Sequence, residues 1–304
     1  MQGDRQHDVL ILGGGIAGLT AAWQAASNQY SVGLVEAEAH GGLVANVGEL
    51  DSYPATGPIA GAELAATLES AARGLGARFY AERVQSLGHL QGFEVQSDAG
   101  VLRSEHVIGA LGARLRSLDV PGFTEFAGRG VSQCAFCDAG LYRQERAVVV
   151  GAGNAALQEA LHLSLYAEEV VLVHRGRRIG ALPQYRERVA QAENLRFRWR
   201  REVIEVVGDA NGVTGVRLRH VQSGKEESLE CHGVFAFIGV EPNAQLMAPW
   251  ADLDESGYVA VDAQFQTRTE RLYAIGALRQ GFGGTLSAAM ADAATVVGTI
   301  AQAG

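Results

Sequence analysis

Asp8-Val9-Leu10-Ile11-Leu12-Gly13-Gly14-Gly15-Ile16-Ala17-Gly18 decides the fold. The continuous apolar run is the pattern of a parallel strand buried on both faces. It enters a G-x-G-x-x-G turn, an Ala-rich helical stretch to about Asn28 follows, and a second strand, Ser31 to Val35, ends in Glu36. This is a complete dinucleotide fingerprint. Gly13 makes the turn, Gly15 lets backbone approach a pyrophosphate, and Gly18 allows helix–strand packing. The helix N-terminus, with Ile16 and Ala17 in its first turn, faces the phosphates, and Glu36 is placed for a ribose hydroxyl. The glycine spacing alone is a weak signal, but here strand, helix and terminal acid agree.

The unit recurs. Ala147 to Val150 leads into Gly151-Ala152-Gly153-Asn154-Ala155-Ala156, then a helix, Ala155 to Tyr166, and a strand, Val170 to His174. Ala156 stands where the third glycine usually is, which the packing position permits. No acid ends this unit. His174-Arg175-Gly176-Arg177-Arg178 follows instead, and its cations suit a 2′-phosphate or, equally, make a solvated basic loop. The 304 residues hold about two domains of ordinary size. The fold expected is α/β, with two Rossmann-like dinucleotide-binding domains.

Gln133-Cys134-Ala135-Phe136-Cys137-Asp138 lies between the fingerprints and holds two of only three cysteines. Thiols at C-x-x-C spacing close a small, reducible disulfide, and the thiolate is the nucleophile in its exchange. Asp138 is placed to supply or remove the proton. Zinc wants four ligands, and a Cys₃His set can be written only by adding Cys231 and His232 from far along the chain. Redox chemistry is the leading reading.

Net charge is −9, which argues against nucleic acid or an anionic membrane as a partner. With 39 glycines and 6 prolines, the chain suits tight turns and close packing better than disordered linkers. Met1 to Asp8 is polar and lacks a signal-peptide h-region, and no apolar run reaches membrane-spanning length. The expected compartment is the cytoplasm, where a C-x-x-C is more often catalytic than structural.

Elsewhere, Gly41-Gly42 and Tyr53-Pro54 follow the first unit, the glycines suggesting backbone close to a cofactor or a plain turn. Gly61 to Gly74 predicts a helix and Ala77 to Tyr80 a strand. Phe93 to Val95 and Val101 to Ile108 predict further strands, the second running on toward Gly112. Asp119-Val120-Pro121-Gly122 is a candidate domain crossing. Gln184 to Ala192 predicts a short helix. Leu195 to Val207, Val213 to Val221 and Lys225 to Cys231 predict a small antiparallel sheet turned at Asn211-Gly212 and Ser223-Gly224. Arg196, Arg198, Arg200 and Arg201 would form the wet face of that ribbon. Gly233 to Gly239 and Leu272 to Gly276 predict strands, and Thr285 to Gln302 an Ala-rich helix.

Together the two fingerprints, Gly41-Gly42, Tyr53-Pro54, Cys134-Ala135-Phe136-Cys137-Asp138 and Gly239-Val240-Glu241-Pro242-Asn243 resemble the low-molecular-weight thioredoxin reductases of the two-domain flavin disulfide reductases. The resemblance covers nearly the whole chain, and its most specific element is the C-x-x-C-D just before the second fingerprint. It implies FAD in the first unit, a nicotinamide nucleotide (NADPH) in the second, and a homodimer. The second domain would be inserted into the first: 1–115 with 243–304 for FAD, and 116–242 for the nucleotide and the C-x-x-C. By position, Gly41, Gly42, Gly112, Gly276 and Ala277 join the flavin site. Cys137 matches the thiol against the flavin, Cys134 the thiol that exchanges with substrate, and Asp138 the acid that handles its proton.

Four departures stand out. Leu43-Val44 replaces Gln-Leu after the paired glycines, Ala277 replaces an Asp, Arg279-Gln280 comes early, and Gly176 and Gly180 replace two arginines. The expected activity is FAD-dependent disulfide oxidoreduction, from a reductant such as NADPH through Cys134–Cys137 to a thioredoxin-like protein or small disulfide. A dithiol oxidase using oxygen, a ferredoxin-like donor, and a flavin-binding sensor module are the alternatives.

Overall fold

The computed structural model describes residues 5–50, 58–89 and 91–303. Tyr53-Pro54 lies outside these residues. Two compact units emerge, Met1–Arg114 with Glu241–Gly304, and Leu115–Val240.

The first unit is built on β1 (Gln6–Leu12), α1 (Ile16–Ser27), β2 (Val32–Val35), α2 (Gly61–Gly74), β3 (Arg78–Tyr80), β4 (Val84–His89), β5 (Phe93–Ser97) and β6 (Gly100–Gly109). The sheet order is β3-β2-β1-β6-β5-β4, with β17 (Leu272–Ala274) also on β6. Strands β1, β2, β3, β6 and β17 run parallel, while β4 and β5 form an antiparallel meander on β6. Successive β1 residues serve opposite faces. Val9 and Ile11 join a core with α1, and Leu10 and Leu12 join a second with Phe93, Leu102 and Met247. Each is fully buried and contributes about 1.5–3 kcal/mol over an exposed position, which fixes the register. Alanines 17, 21, 22, 25 and 26 let α1 approach both the sheet and the last helix, α6 (Leu286–Ala303).

The chain leaves the first unit at β7 (Ala113–Leu115) and returns at β16 (Val240–Pro242). The turn expected as the crossing, residues 119–122, lies within the second unit. Val206 donates to the Pro121 carbonyl, and Gly122 sits so close to Val206 that a Cβ would fall 2.0 Å from its oxygen.

The second unit contains β8 (Val131–Ser132), α3 (Ala135–Asp138), β9 (Arg146–Val150), α4 (Asn154–Ser164), β10 (Glu169–His174), α5 (Pro183–Gln191) and β11 (Leu195–Trp199). A parallel sheet in the order β11-β10-β9-β15-β8 uses β15 (Gly233–Ala236). A three-stranded antiparallel sheet holds β12 (Arg201–Asp209), β13 (Gly212–His220) and β14 (Glu226–Glu230). Leu195 to Val207 is therefore not one strand. Arg200, at φ 54°, breaks it, so β11 edges the parallel sheet and β12 starts the antiparallel one. Arg196 and Arg198 accordingly lie on a parallel edge strand, not on a ribbon face. Arg201 does face the ribbon, paired with Glu227 at 2.8 Å.

Candidate active site

In the first unit the fingerprint leaves open space at the start of α1. Gly13, at φ 110°, lies where a Cβ would stand 2.3 Å from the Ala110 oxygen. A Cβ on Gly18 would stand 2.0 Å from the Gly13 oxygen. Gly15, at the α1 N-cap, has nothing within 4 Å of its Cβ direction. The first two glycine contacts demand closeness and the third leaves space, as a pyrophosphate at a helix N-terminus requires. Gly41 donates to the Gly14 carbonyl at 2.8 Å, and a Cβ on Gly42 would stand 3.5 Å from the Gly15 Cα. A turn at Gly276–Leu278 places Gly276 (φ 66°) so that a Cβ on it would stand 3.0 Å from the Ala17 methyl. Ala277 is half-buried beside it, and Gly112 sits in open space at φ 62°.

Glu36 directly follows β2, and both its oxygens accept backbone hydrogens, from Gly14 at 2.8 Å and Glu38 at 2.9 Å. Each carboxylate oxygen keeps a further lone pair. The acid lines a cleft of about 460 Å³ with Gly13, Arg83, Leu111 and Asn243. Asn243 is tied down by its amide, which donates to the Leu111 carbonyl at 2.9 Å. The donor set and the gap at Gly15 fit the adenosine and pyrophosphate of FAD.

Sequence reasoning missed Arg83, on the chain leading into β4, and Asp292 on α6. Asp292 is 2 % exposed, accepts from the Gly276 amide at 2.9 Å, and pairs with both Nε and Nη2 of Arg279 at 2.7 Å. The Arg279 guanidinium also stacks 4.3 Å above the Phe265 ring. A buried acid therefore stands under the very turn that carries Ala277.

In the second unit, Gly151 and Gly153 repeat the cradle. A Cβ on Gly151 would lie 2.3 Å from the Phe237 oxygen, and Gly153 has open space. Ala156 is fully buried, its methyl filling the space beside Gly151. Asn154 begins α4 beside the opening, and its Oδ1 accepts from the Leu182 amide at 2.8 Å. Arg175, Arg177 and Arg178 are exposed after β10. His174 is lowered by burial and by the Arg175 charge. A Cβ at Gly176 would meet His174 Nε2 at 2.7 Å, so any side chain there would have to displace the imidazole.

Cys134 and Cys137 form a disulfide, with Cα atoms 5.3 Å apart. Cys134 caps α3, its Sγ accepting from the Cys137 amide at 3.1 Å. Cys137 is exposed and Cys134 half-buried. Asp138 lies near Tyr142, whose phenol is pushed up to about 12 by burial and then by the Asp138 charge. Cys231 stands apart in the core, its thiol pushed up to about 12 by burial. His232 instead pairs with Glu145 at 2.6 Å. The Cys₃His alternative thus loses its ligands, and no metal-holding group is found among the described residues. After mild reduction and treatment with iodoacetamide at pH 8, Cys134 and Cys137 are expected to be labelled and Cys231 not. Cys231→Ser is expected to keep turnover. Labelling of native Cys231 at a comparable rate counts against this assignment.

Two dinucleotide cradles and a small reducible disulfide on one chain define a redox flavoprotein fold and site. The family described as pyridine nucleotide-disulphide oxidoreductase matches residues 7–293, and the chain belongs to it. Thioredoxin reductase of Treponema pallidum is 34% identical over 278 residues, covering 91% of this chain and 90% of that one. The crystal structure of Lactococcus lactis thioredoxin reductase in its FR conformation superposes with a TM-score of 0.94 at 29% identity, covering 97% of this chain and 98% of that one. The T. acidophilum thioredoxin reductase does so at 0.94 and 29%, covering 98% and 99%. The chain is a thioredoxin reductase-like oxidoreductase, and FAD and NADPH are the cofactors of this family. No helix among the described residues is long and apolar enough to cross a membrane.

Proposed function

We propose that this protein carries electrons from NADPH through FAD to the Cys134–Cys137 disulfide, and on to a disulfide of a thioredoxin-like protein or a small molecule. The observation that carries the reading is the disulfide at the N-terminus of α3, in the same unit as the second glycine cradle. FAD, when bound, supplies the passage of an electron pair between nicotinamide and disulfide. The chain's own residues do the rest. Gly13, Gly15, Gly18, Gly41, Gly42 and Gly276 shape the bed for the flavin nucleotide, and Glu36 orients its ribose. Gly151, Gly153 and the arginines at 175, 177 and 178 do the same for NADPH.

With two electrons and two protons, Cys134–Cys137 becomes a dithiol. The Cys134 thiolate attacks one sulfur of the substrate disulfide, and a substrate thiolate leaves. Cys137 then attacks Cys134 Sγ, remakes the protein disulfide and releases the second substrate thiolate. Asp138 moves the protons that these steps exchange. A homodimer in the cytoplasm completes the proposal.

Anaerobic titration tests it. The purified protein is expected to carry about one flavin per chain, bleached by NADPH and recoloured by a thioredoxin disulfide. Flavin reduced only by a ferredoxin-like protein overturns the donor, and peroxide formed from a dithiol in air without nicotinamide favours the oxidase. A flavin that no donor reduces favours the sensor. The exposed arginines carry a further expectation. Each charge-assisted contact to a 2′-phosphate is worth about 1.5–3 kcal/mol. NADPH should therefore outcompete NADH at least about tenfold, and Arg177→Ala with Arg178→Ala should erase the preference. Equal kcat/KM for both nucleotides in the wild type removes the phosphate role.

A further inference from the structure

Glu159 sits half-buried on α4, which packs against α3, and its carboxylate points at the cysteine turn. Its Oε2 accepts from the Ala135 amide at 2.8 Å, and the Phe136 amide also donates to the carboxylate. These are the first two amides of α3, directly after Cys134. In a C-x-x-C at a helix start, such amides ordinarily favour the thiolate of the first cysteine. Here Ala135 and Phe136 donate to Glu159, while the Cys137 amide donates to Cys134 Sγ at 3.1 Å. We propose that Glu159 is a positioning residue that holds this turn and sets the redox poise of Cys134–Cys137, by taking those amides and placing a negative charge beside the nucleophile. This rests on reading the pair as the redox-active disulfide.

The surroundings leave Glu159 this role. Asp138 lies on α3 itself, Tyr142 in the turn after it, and His162 one turn along α4 with its ring 5.3 Å from Phe136. Burial lowers His162, so it brings little positive charge. The strands beneath α4 present Ala147, Val149, Val170 and Leu172, all apolar. On α5, Arg186, Glu187 and Arg188 are exposed. Burial pushes the Glu159 carboxyl up and the two amides pull it back. A negative charge beside a thiol disfavours its thiolate. A less stabilised thiolate also makes the dithiol the stronger reductant, since a stabilised reduced form is what makes a disulfide oxidising.

The test needs neither nicotinamide nor turnover. Anaerobic holoenzyme is equilibrated with mixtures of reduced and oxidised dithiothreitol. The reagent gives up two electrons and two protons and closes its own ring disulfide, while the Cys134–Cys137 bond opens to two thiols. Alkylation and mass analysis count each cysteine. Glu159→Gln, which loses the charge, is expected to be reduced about tenfold more readily, equivalent to about 30 mV. Its Cys134 should also be alkylated about tenfold faster at acid pH. Glu159→Asp keeps the charge and should remain close to the wild type in both measurements. A Glu159→Gln protein indistinguishable from wild type, or an equal shift in both variants, overturns the inference and leaves Glu159 a structural cap.

Should Glu159→Gln not fold, the redox difference infrared spectrum decides, recorded in an Asp138→Asn background. A carboxyl band that moves on reduction supports the coupling, and none moving overturns it. A wild-type pair that takes no electrons from dithiothreitol overturns the redox reading, and this inference with it.

Discussion

Cys134→Ser and Cys137→Ser are both expected to lose disulfide turnover by about 10³-fold or more, and to fail in different ways. The relay uses each sulfur once as attacker, so removing either leaves no bypass, as with residues that act as one unit. Cys137→Ser keeps the sulfur proposed to attack substrate but lacks the thiol that resolves the mixed disulfide. It should hold a thioredoxin-like protein in a covalent complex, visible on a non-reducing gel and released by dithiothreitol. Cys134→Ser should trap nothing through position 134. With FAD bound and Cys137 reduced, it should instead show a long-wavelength band if that thiol faces the flavin. Of the two cysteines Cys137 is the more exposed residue. The pair of mutants therefore tests the assignment by chemistry, whatever that exposure suggests. Trapping by Cys134→Ser and not by Cys137→Ser would reverse the two roles.

The parts of the fold legible in the sequence are those where one local pattern is uninterrupted. Val9 to Leu12 and Ala147 to Val150 are apolar without a break and end in glycine turns, so both central strands declare themselves. The pattern failed where the backbone breaks its own period. Strand β4 went unseen because a register shift between Val84 and Ser86 disrupts the alternation, leaving Leu87 as its buried apolar residue. That strand follows Arg83, so one residue of the nucleotide cleft was missed with it. Leu195 to Val207 reads as one strand because nothing in its composition marks Arg200 as left-handed. The thiol pair was legible because two of three cysteines share one turn. Glu159 and Asp292 were not, since each is a lone acid in an Ala-rich helix and only the fold supplies its partners.

Asp292→Ala is expected to destabilise the first unit by about 3–5 kcal/mol, the usual cost of removing one partner of a buried ion pair. Arg279, with its side chain only 12% exposed, would keep a charge with no carboxylate, and the Gly276 amide would lose its acceptor. The damage falls on the turn that meets Ala17 at the start of α1, so flavin retention should drop along with the melting temperature. The partner matters more than the acid itself. Replacing both ends by apolar groups of similar size, Asp292→Leu with Arg279→Met, removes the unpaired charge and should recover most of the stability. It still leaves the Gly276 amide unsatisfied, at about 1–3 kcal/mol. The double variant should therefore fold well yet bind FAD more weakly than the wild type. Ala277→Asp brings an acid to the same turn from the other side, two residues before Arg279. Placed on the Asp292→Ala background, it should restore flavin binding if the turn needs a carboxylate from either direction. Denaturant unfolding and flavin release, measured across these variants, separate the two contributions. An Asp292→Ala protein as stable and as yellow as the wild type removes Asp292 from the site.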